Sequence, residues 1–332
     1  EMERIRGVDA KGIRAITLDA LFMPKDGAGS LEKAMDDLCG LAARAVRGGF
    51  SIIILSDRGV DADHAPIPSL LACSGVHHHL IRQGLRTRVG LVVESGEPRD
   101  VMHFSMLVGY GAGAVNPYLV FETIKDMEKQ GVLAGGLDAK TAQKNFIKAI
   151  EKGVLKVASK MGISTVHSYR GAQIFEAVGL NKAIIDRYFT WTPSRISGVG
   201  IDVIEEEARQ RHTRAYGAPQ SPATLDLDIG GQYQWRRGGE YHMYNPETIA
   251  SLQIAARTNN YKLYREFAEL IDRQDGQLCT LRGLLDFKWA ENPVPIEEVE
   301  PATEIVKRFA TGAISLGAIS REAHETLAIA MN

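Results

Sequence analysis

FSIIILSDRG, residues Phe50–Gly59, sets a β-branched run directly against a polar turn. Ser51–Leu55 has the unbroken apolar character of a strand buried on both faces, which is how strands of a parallel sheet read. Its polar sequel, Ser56-Asp57-Arg58-Gly59, falls at the strand's carboxyl end, where parallel α/β folds gather their ligand groups. The same rhythm continues to Tyr118. Beyond Pro66 and Pro68 an apolar helix carries His77-His78-His79, and a second strand covers Val89–Glu94. The loop Ser95–Asp100, a helix with His103 and the turn Gly109-Tyr110-Gly111-Ala112-Gly113 lead to a third strand at Ala114-Val115-Asn116.

Working outward, Ala15–Phe22 predicts an earlier strand. Ser30 is placed to cap a helix whose Leu31, Ala34, Leu38, Ala42 and Ala45 recur at helical spacing until Gly48-Gly49. Downstream, helices are expected over Tyr118–Lys129 and from Asp138 to Met161-Gly162. A further strand and loop follow at Ser164–Gly171, then a helix over Ala172–Val178 and a sixth strand near Ser194-Arg195-Ile196. The expected class is α/β: a barrel-like βα repeat, a partial or relict TIM-type barrel, with a helical, irregular C-terminal extension. That extension comprises the glycine-rich interval Gly217–Tyr244, a helical pair from Asn245 to about Asp275, and a Pro- and Glu-rich linker. A helical turn at Glu304–Phe309 and a strand and loop at Thr311–Ser320 complete it.

Composition narrows the function classes. The 332 residues are 45% hydrophobic with a formal net charge of −2, which gives no electrostatic reason to expect nucleic acid or an anionic membrane as partner. Cys39, Cys73 and Cys279 form neither a disulfide framework nor a metal-ligand pattern, and fit a reducing compartment, with cytoplasm as the default. No apolar run approaches the ~20 residues that span a bilayer. Glu1 opens on what reads as the middle of a charged helix, and the last helix runs to Asn332 without a stop signal, so a piece of a longer polypeptide is expected.

Several clusters invite chemistry. Three consecutive histidines point about 100° apart on a helix, so they cannot all face one metal, and hydrogen bonding is the better reading. Asp57-Arg58 reads as a buried ion pair fixing a loop, or as a polar site for carboxylate or phosphate. The Gly109–Gly113 turn precedes a strand, unlike a dinucleotide fingerprint. Ser168-Tyr169-Arg170-Gly171, ahead of the expected helix, is the best local anion site, with His167 beside it.

The segments SDRGVDADHAPIPSLL (Ser56–Leu71), VHHHLIRQGLRTR (Val76–Arg88), GYGAGAVNPY (Gly109–Tyr118), MGISTVHSYRGAQIFEAVGL (Met161–Leu180) and Pro301–Asn332 together resemble the glutamate synthase large-chain family, collinearly over nearly the whole sequence. The resemblance implies a central domain at 1–288, a linker at 289–301 and the beginning of an FMN-binding barrel at 302–332. It implies no catalytic residue, metal or cofactor in this segment, with FMN and an iron–sulfur cluster elsewhere in the parent enzyme, which makes glutamate from glutamine and 2-oxoglutarate. The segment would join the amidotransferase and FMN domains of the same polypeptide and help wall an ammonia tunnel, with Thr17, Ser56, Asp57 and Arg58 lining that path or an interface. A small NADPH-oxidising subunit or ferredoxin would be a further partner, and the compartment cytoplasm or plastid stroma. Thr311, Gly312, Ala313, Ile314 and Ser315 would supply part of the FMN site, although the family often has Met where Ile314 stands and Ser where Ala318 stands. The alternative is a self-contained barrel enzyme binding a flavin or phosphorylated ligand at Ser168–Ala172, with His167 and Asp57 as acid and base. A third reading, an interaction module, rests on the aromatic Gly230–Tyr244 stretch.

Overall fold

The computed structural model describes residues 2–10, 12–217, 229–273 and 279–332. The expected interval Gly217–Tyr244 and the end of the helical pair near Asp275 therefore lie partly outside the described residues. The chain divides into two compact units, Glu1–Gln220 and Ser221–Asn332.

In the first unit, a short helix α1 (Met2–Arg6) leads to β1 (Asp9–Ala10), β2 (Ile13–Asp19) and β3 (Leu21–Phe22). Helix α2 (Ser30–Arg47), β4 (Ile52–Ser56), β5 (Ala65–Pro66), α3 (Ser69–Arg82) and β6 (Gly90–Glu94) follow. Then come α4 (Val101–Gly109), β7 (Ala114–Asn116), α5 (Tyr118–Lys129) and α6 (Ala139–Lys160). The main sheet has the order β1-β2-β4-β6-β7. β1 is antiparallel, and the four others run parallel in sequence order. Right-handed crossovers that always advance one way put every connecting helix on the same face. Leu18, Ile53, Leu55 and Leu91 accordingly pack with Leu31, Met35 and Leu38 of α2 and Leu71, Val76 and Leu80 of α3 in one core. Val93 packs with Cys73 of α3, Leu107 of α4 and Ala112 in a second cluster.

The other face carries a different set. Register aligns Asp19, Ser56, Glu94 and Asn116 as one polar row across the carboxyl ends of β2, β4, β6 and β7, with Thr17, Ile54, Val92 and Ala114 one row below. This is an α/β fold on an open parallel sheet; among the described residues no sheet closes into a barrel.

Beyond α6 no further strand joins the main sheet among the described residues. The strand expected around residue 165 is instead a four-residue helix α7 (Val166–Tyr169), whose turn the Thr165 hydroxyl stabilises by accepting from the Ser168 N–H. The helix expected over Ala172–Val178 is also absent. Gly171 and Gln173 adopt positive φ, which a helix does not tolerate, and Val178 enters β8 (Val178–Leu180). Between α8 (Lys182–Tyr188) and α9 (Ile201–Tyr216), the strand β9 (Ile196–Val199) pairs only with β8 and does not extend the main sheet.

A Cβ added at Gly198 would collide with the Gly179 backbone. Gly198→Ala is therefore expected to cost about 2 kcal/mol, because a backbone atom cannot move aside as a side chain can. Urea unfolding followed by Trp191 fluorescence, with Trp235 and Trp289 replaced by Phe, reads this unit alone; an unchanged midpoint would contradict the packing.

Ser30 does not cap α2. The cap residue is Gly29 in the left-handed region, and the carboxylate of Glu205 on α9 accepts from the Gly29 and Leu31 N–H groups and the Ser30 hydroxyl at 3.0, 3.2 and 3.1 Å. Arg209 holds that carboxylate from the other side at 2.5 Å. A negative group at a helix N-terminus meets both the free N–H groups and the positive dipole end.

The second unit contains a helical hairpin, α10 (Pro246–Thr258) and α11 (Tyr261–Asp272), each with an asparagine at its N-cap. Short helical turns follow at Leu281–Leu284 and Ile296–Glu298. They lead to α12 (Ala302–Ile305) with its continuation Val306–Arg308, a turn at Leu316–Ala318, and α13 (Arg321–Met331). The strand expected at Thr311–Ser320 does not form. A strand needs a neighbour for its backbone groups, and the described residues of this unit include none.

Candidate functional site

The polar row at the strand ends is where the first unit concentrates its buried charge. β6 is apolar through Leu91, Val92 and Val93 and then presents Glu94, whose side chain is 1% exposed. A bare carboxylate there would be untenable, and the surrounding elements each supply a donor. Ser56 Oγ, ending β4, donates at 2.7 Å, and Arg58 Nε, from the next turn, at 3.0 Å. Asn116 Nδ2, ending β7, donates at 3.1 Å, and Arg6 Nη2 reaches both oxygens at 3.0 Å from α1. Burial works to raise the Glu94 pKa, but the donors from Ser56, Arg58 and Arg6 together hold it below the usual carboxylate range.

Asp57 forms the second half of the cluster. Its N–H donates to the Glu94 carbonyl at 3.1 Å, and its buried carboxylate accepts from Ser95 Oγ at 2.5 Å and from the Gly96 N–H at 3.1 Å. Burial pushes its pKa up, opposed by hydrogen bonds from Ser95, Tyr118 and Gly96. Tyr118 is coupled to it, its phenol raised by burial and by Asp57. Arg58 lies over the Tyr118 ring at 4.1 Å and bonds Glu122 at 3.1 Å. The β4, β6 and β7 ends are thereby tied to the start of α5.

The structure thus brings Ser56, Asp57 and Arg58 together and adds Glu94, Ser95, Asn116, Tyr118 and Arg6, none of which was singled out from sequence. Thr17 lies one row below on the same face. Its hydroxyl is buried with no hydrogen-bond partner among the described residues. The cluster resembles a clamp more than a catalytic pair: each carboxylate already accepts several hydrogen bonds, and none is left as a free base.

The other sequence candidates fall elsewhere. His77 Nδ1 accepts from Arg86 Nε at 2.8 Å, and Arg86 continues to the carbonyls of Val89 and Gly111 at 2.7 and 2.8 Å. A Cβ at Gly111, φ 114°, would run into the His77 ring, so the glycine-rich turn is shaped for this packing. Burial, with Arg86 adding to it, pushes His77 down to about 3; burial, with Arg82, pushes His78 down to about 4. Among the described residues no three His, Cys, Asp or Glu side chains gather so as to hold a metal. Cys39 and Cys73 are buried, and burial raises their thiols to about 11 and about 12.

Ser168–Ala172 loses the premise of its anion site, since no helix starts there. The Ser168 N–H is taken by Thr165, and Arg170 Nη2 faces His167 Nδ1 at 3.3 Å. His167 and Asp57 share no hydrogen bond. Thr311–Ser315 are exposed and outside any strand, so as they stand they form no cradle that fits a flavin. Among the described residues no helix is long and apolar enough to cross a membrane.

The first unit is therefore an open parallel α/β domain whose usual ligand end is occupied by its own side chains. The glutamate synthase central domain family matches residues 1–181, and a conserved region of glutamate synthase matches 242–332. The chain belongs to the glutamate synthase central domain family. It is similar to the NADPH glutamate synthase large chain of Bacillus subtilis, at 47% identity over 96% of this chain and 20% of the relative. It is also similar to the NADH glutamate synthase of Schizosaccharomyces pombe, at 46% over 96% and 15%, and to ferredoxin-dependent glutamate synthase 2 of Synechocystis, at 41% over 92% and 21%. The chain spans about a fifth of the length of such relatives. Among solved structures, a mutant flavocytochrome b2 with benzoylformate aligns at a TM-score of 0.32 and 14% identity over 62% of this chain and 41% of that one, a likeness that carries no argument.

Proposed function

We propose that this chain is a non-catalytic scaffold segment of a glutamate synthase, an oxidoreductase that makes glutamate from glutamine and 2-oxoglutarate with NADPH, NADH or ferredoxin as electron source. The observation that carries this reading is the closed clamp around Glu94 and Asp57. In an α/β enzyme the strand carboxyl ends present open polar groups to substrate, whereas here they bind one another. The four parallel strands in sequence order, with connecting helices on one face, suit part of a relict barrel. On this reading residues 1–288 join the amidotransferase and FMN domains of the same polypeptide, 289–301 link, and 302–332 begin the FMN barrel. Thr311–Ser315 would then meet the flavin only once the rest of that barrel is present. FMN and an iron–sulfur cluster would belong to the parent, and a small NADPH-oxidising subunit or ferredoxin would be its electron partner in the cytoplasm or plastid stroma.

The clamp's part in the parent would be to hold the β4–α3 and β6–α4 loops, with Thr17, Ser56, Asp57 and Arg58 toward the ammonia path or a domain interface. In the full-length enzyme, Arg58→Ala is expected to raise the ratio of glutamine hydrolysed to glutamate formed about threefold, the effect of a ~0.7 kcal/mol change in partitioning. A ratio equal to that of the parent enzyme would remove Arg58 from that path.

A further inference from the structure

A cavity of 270 Å³ lies away from the clamp, between α3, the end of α4, the connection after α7 and the residues after α8. Its walls are mostly apolar and aromatic. Tyr110 and Phe175 stack at 6.0 Å with 24° between their planes. His77 and His78 meet edge to face at 5.0 Å. Most of the polar groups on the wall are already engaged. Tyr110 Oη bonds Thr192 Oγ1 at 2.8 Å, and Arg82 donates to Thr190 Oγ1 and the Arg187 carbonyl at 3.2 and 3.1 Å. His77 gives its Nδ1 lone pair to Arg86, which leaves the Nε2–H as a donor.

Two lining residues stand apart. Gln173 and Trp191 have φ of 55° and 68°, and they are two of the three non-glycine residues with positive φ among the described residues. For a bulky residue this conformation is costly, and such cost concentrates at binding sites. Trp191 is 81% exposed, so no packing in this structure repays it. Neither the Gln173 nor the His78 side chain makes a hydrogen bond among the described residues, so an amide and an imidazole line the cavity unengaged beside the indole. Burial keeps both imidazoles neutral.

We propose that this cavity binds a planar bicyclic heteroaromatic molecule, stacked by Trp191 and hydrogen-bonded by Gln173 and His78. Flat walls favour a ring system over a branched aliphatic, and neutral donors and acceptors favour heteroatoms over a carboxylate or phosphate. The volume suits two fused rings.

Saturation-transfer NMR on this chain, with adenine as probe and cyclohexanecarboxamide as a non-planar control, tests the assignment. Adenine is expected to receive saturation and the control to receive none. Trp191→Ala and Gln173→Gly, both at exposed positions that leave the core intact, are each expected to weaken adenine binding at least tenfold. The proposal is overturned if adenine receives no saturation, if the control binds as well as adenine, or if both variants bind adenine as the parent chain does.

Discussion

Glu94→Ala is expected to destabilise the first unit by about 3 kcal/mol, the lower end of what removing one partner of a buried ion pair costs. The reason lies in the donors left behind. Ser56 is 3% exposed and would lose the acceptor for its hydroxyl. Arg6 and Arg58 would keep their charge beside an apolar gap, although both side chains, at 33% and 44% exposed, can turn partly to water. That partial escape places the estimate at the low end. Glu94→Gln separates charge from shape: it fills the space but offers one oxygen and an NH2 group to donors that require two oxygens, so about half the effect is expected. Urea unfolding followed by Trp191 in the single-tryptophan background measures both. A Glu94→Ala change below ~1 kcal/mol would mean that the clamp is an ordinary surface ion pair and that the scaffold reading has lost its structural basis.

How far this cluster was legible before the structure follows from where its information lies. Ser56, Asp57 and Arg58 stood out because they terminate an unbroken apolar strand. Glu94 and Asn116 terminate the next two strands in the same register row, 38 and 60 residues further on, and only pairing reveals that they converge. Aligning the ends of the three predicted strands would have shown a polar residue at each. Arg6 carried no signal, since nothing in a charged N-terminal helix says that it reaches a carboxylate 88 residues away. Strands near 16, 52, 90 and 114 were readable because apolar runs, prolines and glycines bound them locally. The strand expected at 165 failed because a single threonine hydroxyl decided for a helical turn, and the one at 311–320 because strand formation depends on a neighbour. The cap of α2 shows the same limit: Ser30 has the right chemistry, but Glu205, 175 residues on, holds the position.

Acidifying the protein from pH 7 to 4.5 is expected to cost the first unit about 3 kcal/mol through His77 alone. In the unfolded chain an imidazole takes up a proton below about 6.5, whereas His77 in the folded state remains neutral down to about 3. Between those values the unfolded state binds more protons, so stability is complete above pH 6.5 and falls as pH drops, by ~1.4 kcal/mol per unit. His78, held down to about 4, acts in the same direction with a smaller share because water reaches part of its ring. Glu94 joins below the usual carboxylate range, its stabilisation being lost as pH falls through its depressed value. Asp57 works the other way: its raised pKa lets the folded state take up a proton first, which offsets part of the loss at the acid end. The physical origin of the His77 effect is first the burial of its ring, which disfavours the charged form, and then the Arg86 guanidinium, which donates to Nδ1 and cannot give up its proton, so a protonated His77 would have to break that bond and face a cation. His77→Gln preserves an acceptor for Arg86 without a titrating ring. It should flatten the slope of stability against pH by about one proton between pH 6 and 4.5 while leaving stability at pH 7.5 within ~1 kcal/mol of the parent. Equal slopes in the two proteins would show that the imidazole is protonated in the folded state after all, and that neither its burial nor the Arg86 bond holds it neutral.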